Sequence, residues 1–169
     1  MKPKILIIDV EQQKARFYEG KRLKEVFNIS TAKNGLGSIE GSNCTPAGIL
    51  RVAEKIGAGA PLGTIFKDRA AVGLWDGRER ENESPILTRI LWLEGTEPSN
   101  QNTHERFIYL HGTSHESKLG TPNSQGCIAF ANDDIIKVFN ALQVGDVVKV
   151  VPPKLKASQA RLGPPNRAP

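Results

Sequence analysis

Cysteine is scarce in this sequence, and its scarcity limits how the fold can be stabilised. The 169 residues include only Cys44 and Cys127, which can form at most one disulfide bond. A small secreted scaffold held together by disulfides is therefore excluded, because such scaffolds carry several cysteine pairs. Free thiols are the expected state of both residues, and free thiols are typical of a reducing compartment.

Long apolar runs are also missing. The run near the N-terminus extends only from Ile5 to Ile8 before Asp9 interrupts it. A secretory signal needs about 7 to 15 apolar residues and a membrane-spanning helix needs about 20. The sequence therefore predicts no integral membrane segment. We expect a cytoplasmic location, or a periplasmic one if a leader has been removed.

Aromatic residues make up only 6% of the chain, and the basic residues form no cluster outside the C-terminal tail. The formal net charge of +5 comes mostly from the segment after Val151, where no acidic residue occurs. Four basic residues lie in that segment: Lys154, Lys156, Arg161 and Arg167. A nucleic-acid interface needs basic residues on a folded face and aromatic residues that stack on bases, so no nucleic-acid partner is predicted. We predict one domain over residues 1–151 and a basic, proline-rich tail over residues 152–169.

Short apolar segments separated by glycine and proline recur along the whole chain. Alternating or β-branched apolar residues predict strands in these segments. The predicted strands are residues 4–10, 14–18, 22–31, 49–56, 86–93, 106–110 and 146–151. Residues 64–75 are expected to hold one short strand or turn, with Asp68 and Arg69 exposed. Many short strands and few helices are typical of a β-sandwich or barrel, so the chain is predicted to be mainly β.

One α-helix is predicted, downstream of Cys127, where apolar residues recur with helical spacing. Asn132 is expected to cap it, and Asp133 and Asp134 lie in the first turn, where carboxylates interact favourably with the helix dipole. The apolar residues expected to face the core are Ile135, Ile136, Val138, Phe139 and Leu142. Such a stripe is typical of a helix packed on a sheet.

Arg89 is the one charged residue in the strongly apolar segment of residues 86–93. A regular strand there places Thr88 and Arg89 on opposite faces and has apolar side chains on both. A charge at such a position needs a partner or a function. We expect Arg89 to pair with Glu94 or another carboxylate, or alternatively to bind substrate.

The segment from Arg106 to Phe130 carries the two residues best suited to catalysis. An apolar strand leads to His111, and a polar loop leads to Gly126 and Cys127. Because 16 residues separate the histidine from the cysteine, the two side chains can meet only if the loop returns to its starting strand. An imidazole beside a thiol can take its proton and later protonate the leaving group. Backbone amides around Gly126 and Cys127 can donate to a developing oxyanion.

Two other interpretations of these residues remain open at this point. Cysteine is among the most buried residue types, so Cys127, like Cys44, can be a small buried hydrophobe. Zinc binding is the second possibility, with the potential ligands His104, His111, His115 and Cys127. The residues between His111 and His115 disfavour a helix that would align these two side chains. We therefore predict neither a metal nor another cofactor, and we expect His104 and His115 to be solvated loop residues.

Two short motifs together resemble the L,D-transpeptidase (YkuD-like) catalytic domain family. They are His111-Gly112-Thr113 and Ser124-Gln125-Gly126-Cys127-Ile128. Thr45-Pro46-Ala47-Gly48 is similar to the Thr-Pro-x-Gly turn of that family, and the resemblance extends from Lys4 to Val151. It implies a β-sandwich with the nucleophile at the edge of a cleft and one short helix after the cysteine.

The resemblance also implies a reaction and a role for each matching residue. By position, Cys127 would be the nucleophile and His111 the base, and the Gly112 carbonyl would support the imidazole. Ser124 and Gly126 would shape the acyl pocket. The implied substrate is a peptidoglycan stem peptide, which members attack between the L-centre of a diamino acid and the D-residue that follows. A thioester forms on the cysteine, and D-alanine leaves.

Two positions depart from the pattern that many relatives in this family share. Gln125 stands where many have histidine, which removes a polar neighbour but leaves the base His111 in place. Ala129 stands where many have arginine, which removes a cation that can order the pocket or face a carboxylate. Arg89 is our candidate to replace that cation in binding the substrate.

The acyl acceptor distinguishes the functions that remain. Water as acceptor gives an L,D-carboxypeptidase that trims tetrapeptide stems in murein recycling. We expect this function, because the sequence shows neither an export signal nor a wall-binding repeat. The amine of a second stem as acceptor gives an exported L,D-transpeptidase that forms 3-3 crosslinks. An inactive stem-peptide-binding module is an alternative of another class, which the intact pair of Cys127 and His111 disfavours.

Overall fold

Strands dominate the computed structural model, which describes residues 2–154. Within these residues the chain forms ten strands, one α-helix and one short 3-10 turn at Glu116–Lys118. The strands are β1 (Lys4–Asp9), β2 (Lys14–Glu19), β3 (Arg22–Ser30), β4 (Gly48–Ile56), β5 (Thr64–Lys67), β6 (Ala70–Leu74), β7 (Ile86–Gly95), β8 (Tyr109–Thr113), β9 (Ile128–Phe130) and β10 (Val147–Val151). The helix α1 (Asn132–Ala141) lies between β9 and β10.

All ten strands belong to one sheet, in the order β4-β10-β1-β2-β3-β9-β8-β7-β5-β6. The second half of β7 also pairs with β4, so eight of the strands form a closed ring around the core. The hairpin of β5 and β6 extends from the first half of β7. The prediction of a mainly β domain with one short helix after Cys127 is confirmed.

The core is filled by the inward-facing residues of this ring and by the apolar face of α1. Leu6 and Ile8 of β1 are fully buried, as the period-2 alternation of a strand requires. Ile135 and Phe139 of α1 belong to the same cluster. Each fully buried side chain of this type contributes about 1.5 to 3 kcal/mol to stability. The packing holds α1 against β7 and β8, the strands that carry the site.

The neighbouring strands β8 and β9 run parallel, which brings the two motifs together. Leu110 pairs with Ile128, and both are fully buried in the core. Because side chains alternate along a strand, His111 and the residue before Ile128 lie on the opposite, outer face. The long connection between the strands therefore returns Cys127 to the strand of His111, which is the condition for the two side chains to meet.

Residues 64–75 and 106–110 differ from their predicted conformations. The first segment forms a hairpin of two strands, and its turn consists of Asp68 and Arg69, which have φ angles of 49° and 64°. In the second segment Phe107 has a φ of 57° and its amide donates to the carbonyl of His104 in a turn. The strand predicted to end at residue 110 consequently begins at residue 109.

Strand β7 contains a bulge that the simple alternation of apolar residues did not predict. The pairing with β8 shifts between Leu87 and Ile90, and Thr88 has a φ of 75°. Thr88 and Arg89 are the two additional residues at this shift. The predicted regular strand is therefore interrupted at these two residues.

Asn132 does not cap α1 as predicted, because Ala131 occupies the N-cap position and Asn132 is the first helical residue. Its side chain instead accepts a hydrogen bond from Thr88 Oγ1 at 2.6 Å and donates to the Thr113 carbonyl at 2.8 Å. This buried amide joins β7, β8 and α1.

The predicted tail over residues 152–169 lies mostly outside the described residues, of which only 152–154 belong to it, and these are exposed. The division into a domain and a tail stays a prediction. Among residues 2–154, no helix has the length and apolar character needed to cross a membrane.

Candidate active site

A cleft of about 260 Å³ lies on the outer face of β8 and β9. His111 of β8 and Cys127, the residue before β9, both line it, and Cys127 lies level with Tyr109, two residues before His111. Its other walls include Ser124 from the loop before β9, Ala129 from β9 itself, and Pro85 from the loop before β7. The structure therefore brings together the pair that the sequence proposed as base and nucleophile.

His111 is buried and has a defined tautomer. Its Nδ1 lies 2.7 Å from the carbonyl oxygen of Gly112. A carbonyl oxygen only accepts hydrogen bonds, so Nδ1 carries the proton and Nε2 keeps its lone pair. Burial lowers the pKa of His111, while the hydrogen bond to Gly112 acts in the opposite direction. The imidazole is thus neutral near pH 7, as a general base must be.

Gly112 supports His111 through a backbone that leaves no room for a side chain. A Cβ atom at this position would overlap Asn132 Oδ1 and lie 2.8 Å from the carbonyl oxygen of Leu87. Only glycine therefore fits between β7, β8 and α1 while placing its carbonyl against the imidazole. The supporting role predicted for Gly112 in catalysis stays a prediction.

The Cys127 thiol contacts the backbone at the start of β8. It donates a hydrogen bond to the Phe107 carbonyl at 3.4 Å and accepts one from the Tyr109 amide at 3.3 Å. Burial raises the pKa of Cys127 to about 11, although the Tyr109 amide and the charge of Arg106 act in the opposite direction. The resting pair is therefore a neutral thiol and a neutral imidazole, and the thiol loses its proton only as it attacks.

This protonation state predicts how Cys127 is alkylated by iodoacetamide. With a pKa of about 11, roughly one thiol in 10⁴ is ionised at pH 7. We expect the alkylation rate to rise about tenfold per pH unit from pH 7 to pH 10, because the thiolate is the nucleophile. The measurement uses mass spectrometry on a Cys44→Ser variant, so that only Cys127 reacts. A rate that stays constant from pH 6 to pH 9 would indicate a preformed thiolate–imidazolium pair and contradict this expectation.

Ser124 and Gly126 shape the loop that leads to Cys127. The Ser124 hydroxyl donates to the Cys127 carbonyl and accepts a hydrogen bond from the Gly126 amide at 3.3 Å. Gly126 has a φ of 123°, which is costly for any residue with a side chain. Ser124 lines the cleft, whereas Gly126 is buried beneath it. Their roles in an acyl pocket stay a prediction.

Thr45 is a residue of the site to which the sequence analysis assigned no role. Its fully buried hydroxyl donates to the Gly126 carbonyl at 2.9 Å and accepts a hydrogen bond from the Ala32 amide at 2.9 Å. These bonds fix the peptide unit that precedes Cys127. The Thr-Pro-x-Gly motif was the one sequence signal that pointed to Thr45. The motif does not reveal that its threonine contacts the loop before Cys127.

Arg89 does not reach the cleft. Its guanidinium donates to the carbonyls of Ala60 at 2.8 Å and Thr88 at 2.6 Å, and burial lowers its pKa. The expected pairing with Glu94 is wrong, because Glu94 pairs with Arg51 at 2.6 Å. The observed contacts give Arg89 a structural role at the bulge of β7, so this residue does not replace the cation missing at Ala129.

The two remaining histidines lie apart from each other. His104 stacks on Trp92 with ring centroids 3.9 Å apart. The prediction of a solvated His115 is wrong, since only 4% of this residue is exposed. Its Nε2 donates to the Glu83 carbonyl at 2.6 Å, and its Nδ1 lies 3.2 Å from the Glu79 carboxylate. His115 thus anchors the loop between β6 and β7 that forms one wall of the cleft.

Comparison with known proteins gives one family. A family model of the L,D-transpeptidase catalytic domain (YkuD) matches residues 3–150. None of the curated proteins matches the chain in sequence. L,D-transpeptidase 3 from Mycobacterium tuberculosis has 14% identity and a TM-score of 0.59, covering 89% of this chain and 61% of that structure. The L,D-transpeptidase from Xylanimonas cellulosilytica has 16% identity and a TM-score of 0.58, with coverages of 89% and 61%.

A cysteine-to-serine mutant of the Enterococcus faecium L,D-transpeptidase is also similar, with 16% identity, a TM-score of 0.56 and coverages of 89% and 50%. At such identities the likeness to solved structures shows the fold alone. The chain spans about three fifths of the length of the first of these structures. The family model, in contrast, matches nearly all of the described residues. The chain belongs to the L,D-transpeptidase catalytic domain family.

Proposed function

We propose that this protein catalyses cysteine-dependent acyl transfer at the L,D peptide bond of peptidoglycan stem peptides, with water as the acceptor. The observation that carries the proposal is the meeting of His111 and Cys127 in one cleft, with the imidazole held in the tautomer of a base. A merely binding module would not need this arrangement of a free Nε2 lone pair and a thiol.

The first half of the reaction forms a thioester. His111 Nε2 takes the thiol proton while Cys127 Sγ bonds to the carbonyl carbon of the diamino acid. The Cys127 amide, which has no hydrogen-bond partner within residues 2–154, is available to donate to the oxyanion. The bond to the D-residue then breaks, and His111 returns the proton to the leaving amine, so that D-alanine departs.

The second half of the reaction hydrolyses the thioester. His111, now neutral again, takes a proton from water, whose oxygen bonds to the acyl carbon. The carbon–sulfur bond breaks, and the proton passes to the sulfur of Cys127. The products are a tripeptide stem and the free thiol, so atoms and charges balance over the cycle.

Two observations support water rather than a second stem as the acceptor. The cleft of about 260 Å³ is smaller than the 300 to 1,000 Å³ typical of small-molecule sites, so it suits the residues around one scissile bond. Cys44 and Cys127 are both free thiols, which suits the cytoplasm, where recycled stems are trimmed. We therefore propose a cytoplasmic L,D-carboxypeptidase.

The test is incubation of the protein with the tetrapeptide L-Ala-γ-D-Glu-meso-diaminopimeloyl-D-Ala. Mass spectrometry is expected to show equimolar D-alanine and tripeptide, with the product unchanged when a tenfold excess of a second stem amine is present. Dimers in the presence of that amine would identify a transpeptidase instead, and fractionation of the source cells would then be expected to find the protein outside the cytoplasm. Peptide binding without D-alanine release would identify an inactive binding module.

A further inference from the structure

An arginine supported by three aromatic residues lies against the two residues whose backbone contacts the Cys127 thiol, Phe107 and Tyr109, and the mechanism above does not use it. The guanidinium carbon of Arg69 lies 4.9 Å from the ring centroid of Trp92 and 5.2 Å from that of Phe107. Arg69 Nη1 donates to the hydroxyl of Tyr109 at 3.2 Å. We call these four residues, Arg69, Trp92, Phe107 and Tyr109, the Arg69 platform. Its contacts orient the guanidinium while keeping its charge.

Arg69 differs from the other oriented arginines in what its N–H groups contact. Within the described part of the chain it has one hydrogen bond, to a neutral hydroxyl, and it forms no ion pair. Arg106, in contrast, donates to the carbonyls of Gly37 and Cys44, and Arg51 pairs with a carboxylate. An arginine has five N–H donors, so most of those of Arg69 remain available to a ligand.

Backbone conformations around the platform are unusual. Asp68, Arg69 and Phe107 all have φ angles between 49° and 64°, in the left-handed region that residues with side chains rarely adopt. Asp68 and Arg69 form the two-residue turn of the β5–β6 hairpin, where positive φ angles at both positions are usual, and Phe107 closes a turn with His104. Phe107 is also 51% exposed, which is high for a phenylalanine next to a reactive thiol. These features keep an aromatic surface and a cation at the edge of the site.

The platform residue Tyr109 lies beside Cys127, and the base His111 lies two residues farther along β8. Cys127 Sγ contacts the backbone of Phe107 and Tyr109, both members of the platform. Register pairs Leu110 with Ile128, so Cys127 lies level with Tyr109, whereas His111 lies farther along β8. Arg69 thus contacts residues level with Cys127 or before it, whereas His111 lies beyond it, so a substrate that follows β8 meets Arg69 and His111 at opposite ends of the Cys127 position.

The chemistry of the proposed reaction then fixes which part of the substrate faces Arg69. His111 must protonate the leaving amine, so the departing D-residue lies on its side of Cys127. The acyl part of the stem extends to the opposite side, towards the platform. We propose that Arg69 binds a carboxylate in the acyl part of the stem peptide, on the residue that forms the thioester or the one before it; this assignment rests on the proposed function. A guanidinium suits this task, because it recognises carboxylates with two parallel hydrogen bonds.

Calorimetric binding to Cys127→Ala protein tests this assignment without requiring turnover. The ligands are L-Ala-γ-D-Glu-meso-diaminopimeloyl-D-Ala and three amidated forms of it, blocked at the glutamate carboxylate, at the free diaminopimelate carboxylate or at the C-terminus. We expect Arg69→Gln to weaken binding of the unmodified peptide by about 10- to 100-fold, as for the loss of a charge-assisted hydrogen-bond pair. Amidation of one of the two acyl-side carboxylates is expected to weaken peptide binding by the same factor as Arg69→Gln. With that amidated peptide, Arg69→Gln should cause no further loss of affinity. Arg69→Lys should retain part of the affinity.

Arg22→Gln, at an exposed position of β3, is the matched control and should bind all four peptides as the parent does. An equal effect of Arg69→Gln on all four peptides, or no effect on any, would overturn the assignment and leave Arg69 a structural residue of the hairpin. The assignment would also be overturned if Arg69→Gln weakened binding of every peptide except the one with the C-terminal amide. The carboxylate bound by Arg69 would then belong to the leaving residue. D-alanine release by the wild-type protein, measured in parallel, shows separately whether the proposed function fails.

Discussion

Replacing Cys127 by alanine is expected to lower the rate of D-alanine release from the tetrapeptide by at least about 10³-fold. The thiol supplies the electron pair that forms the thioester, and His111 can only activate it or water. The cost to folding should be small, because the substitution removes only two weak sulfur hydrogen bonds, with Tyr109 and Phe107. Initial rates by mass spectrometry and thermal melting measure the two effects independently.

The second cysteine of the chain provides the matched control. Cys44 is partly buried and its thiol contacts the carbonyls of Asn34 at 3.5 Å and Ser42 at 3.7 Å. Cys44→Ala removes the same atom from the neighbouring loop and should leave the rate within about twofold, as expected for a side chain that does not contact the reacting atoms. D-alanine release that survives Cys127→Ala would mean that the thioester mechanism is wrong.

The sequence predicted the strands away from the site well, because their hydrophobic patterns are regular. In β1, Leu6 and Ile8 alternate with less buried residues, and the observed strand lies within the predicted one. The helical stripe that begins at Ile135 likewise gave α1 nearly its true bounds. Local periodicity was sufficient in these elements because each has one face on the core and one towards solvent.

The centre of the site could not be read from periodicity. Strand β8 continues past residue 110, where the apolar pattern predicted its end. Its polar residues are buried by long-range contacts that the pattern does not reveal. Thr88 adopts a positive φ that no local propensity favours, and its hydroxyl is held by Asn132 from across the fold. Likewise His115 is buried only because the loop before β7 folds over it. These features depend on pairs of residues far apart in sequence.

The pairing of His111 with Cys127 was predicted from a different kind of information. Nothing in the spacing of His111 and Cys127 shows that they meet, and the resemblance to a family supplied that expectation. The same resemblance drew attention to the missing cation at Ala129, but the replacement expected from the apolar pattern of residues 86–93, Arg89, does not reach the cleft. Arg69, on a hairpin 58 residues before Cys127, became a candidate only through its contacts in the folded protein. A single sequence carries no trace of such a contact.

Replacing Gly112 by alanine is the other substitution for which we expect a large effect. Its Cβ would overlap Asn132 Oδ1 and press on the Leu87 backbone. Asn132 cannot move aside cheaply, because its side chain bonds to Thr88, the Thr113 carbonyl and Glu116. Overpacking at such a site costs about 1 to 3 kcal/mol, and a buried polar group left without its partner adds a similar amount.

The same substitution is expected to reduce catalysis more than stability alone would explain. Any shift of the Gly112 carbonyl releases Nδ1 of His111, so the imidazole loses both its orientation and its fixed tautomer. We expect kcat to fall by about 10²-fold, since general base catalysis contributes 10²- to 10⁴-fold, with a smaller change in KM. Urea unfolding gives the free energy of unfolding, and kinetics on the fraction that remains folded gives kcat.

Gly73→Ala is the matched control for this substitution. Gly73 lies in the exposed strand β6, does not have a positive φ, and has no atom within 4 Å of the point where a Cβ would lie. Alanine there should change the free energy of unfolding by no more than about 0.5 kcal/mol and leave kcat unaltered. If Gly112→Ala proved equally mild, the contacts of Asn132 would have to be looser than the structure shows. The orientation of His111 would then depend on its burial rather than on the carbonyl beside it.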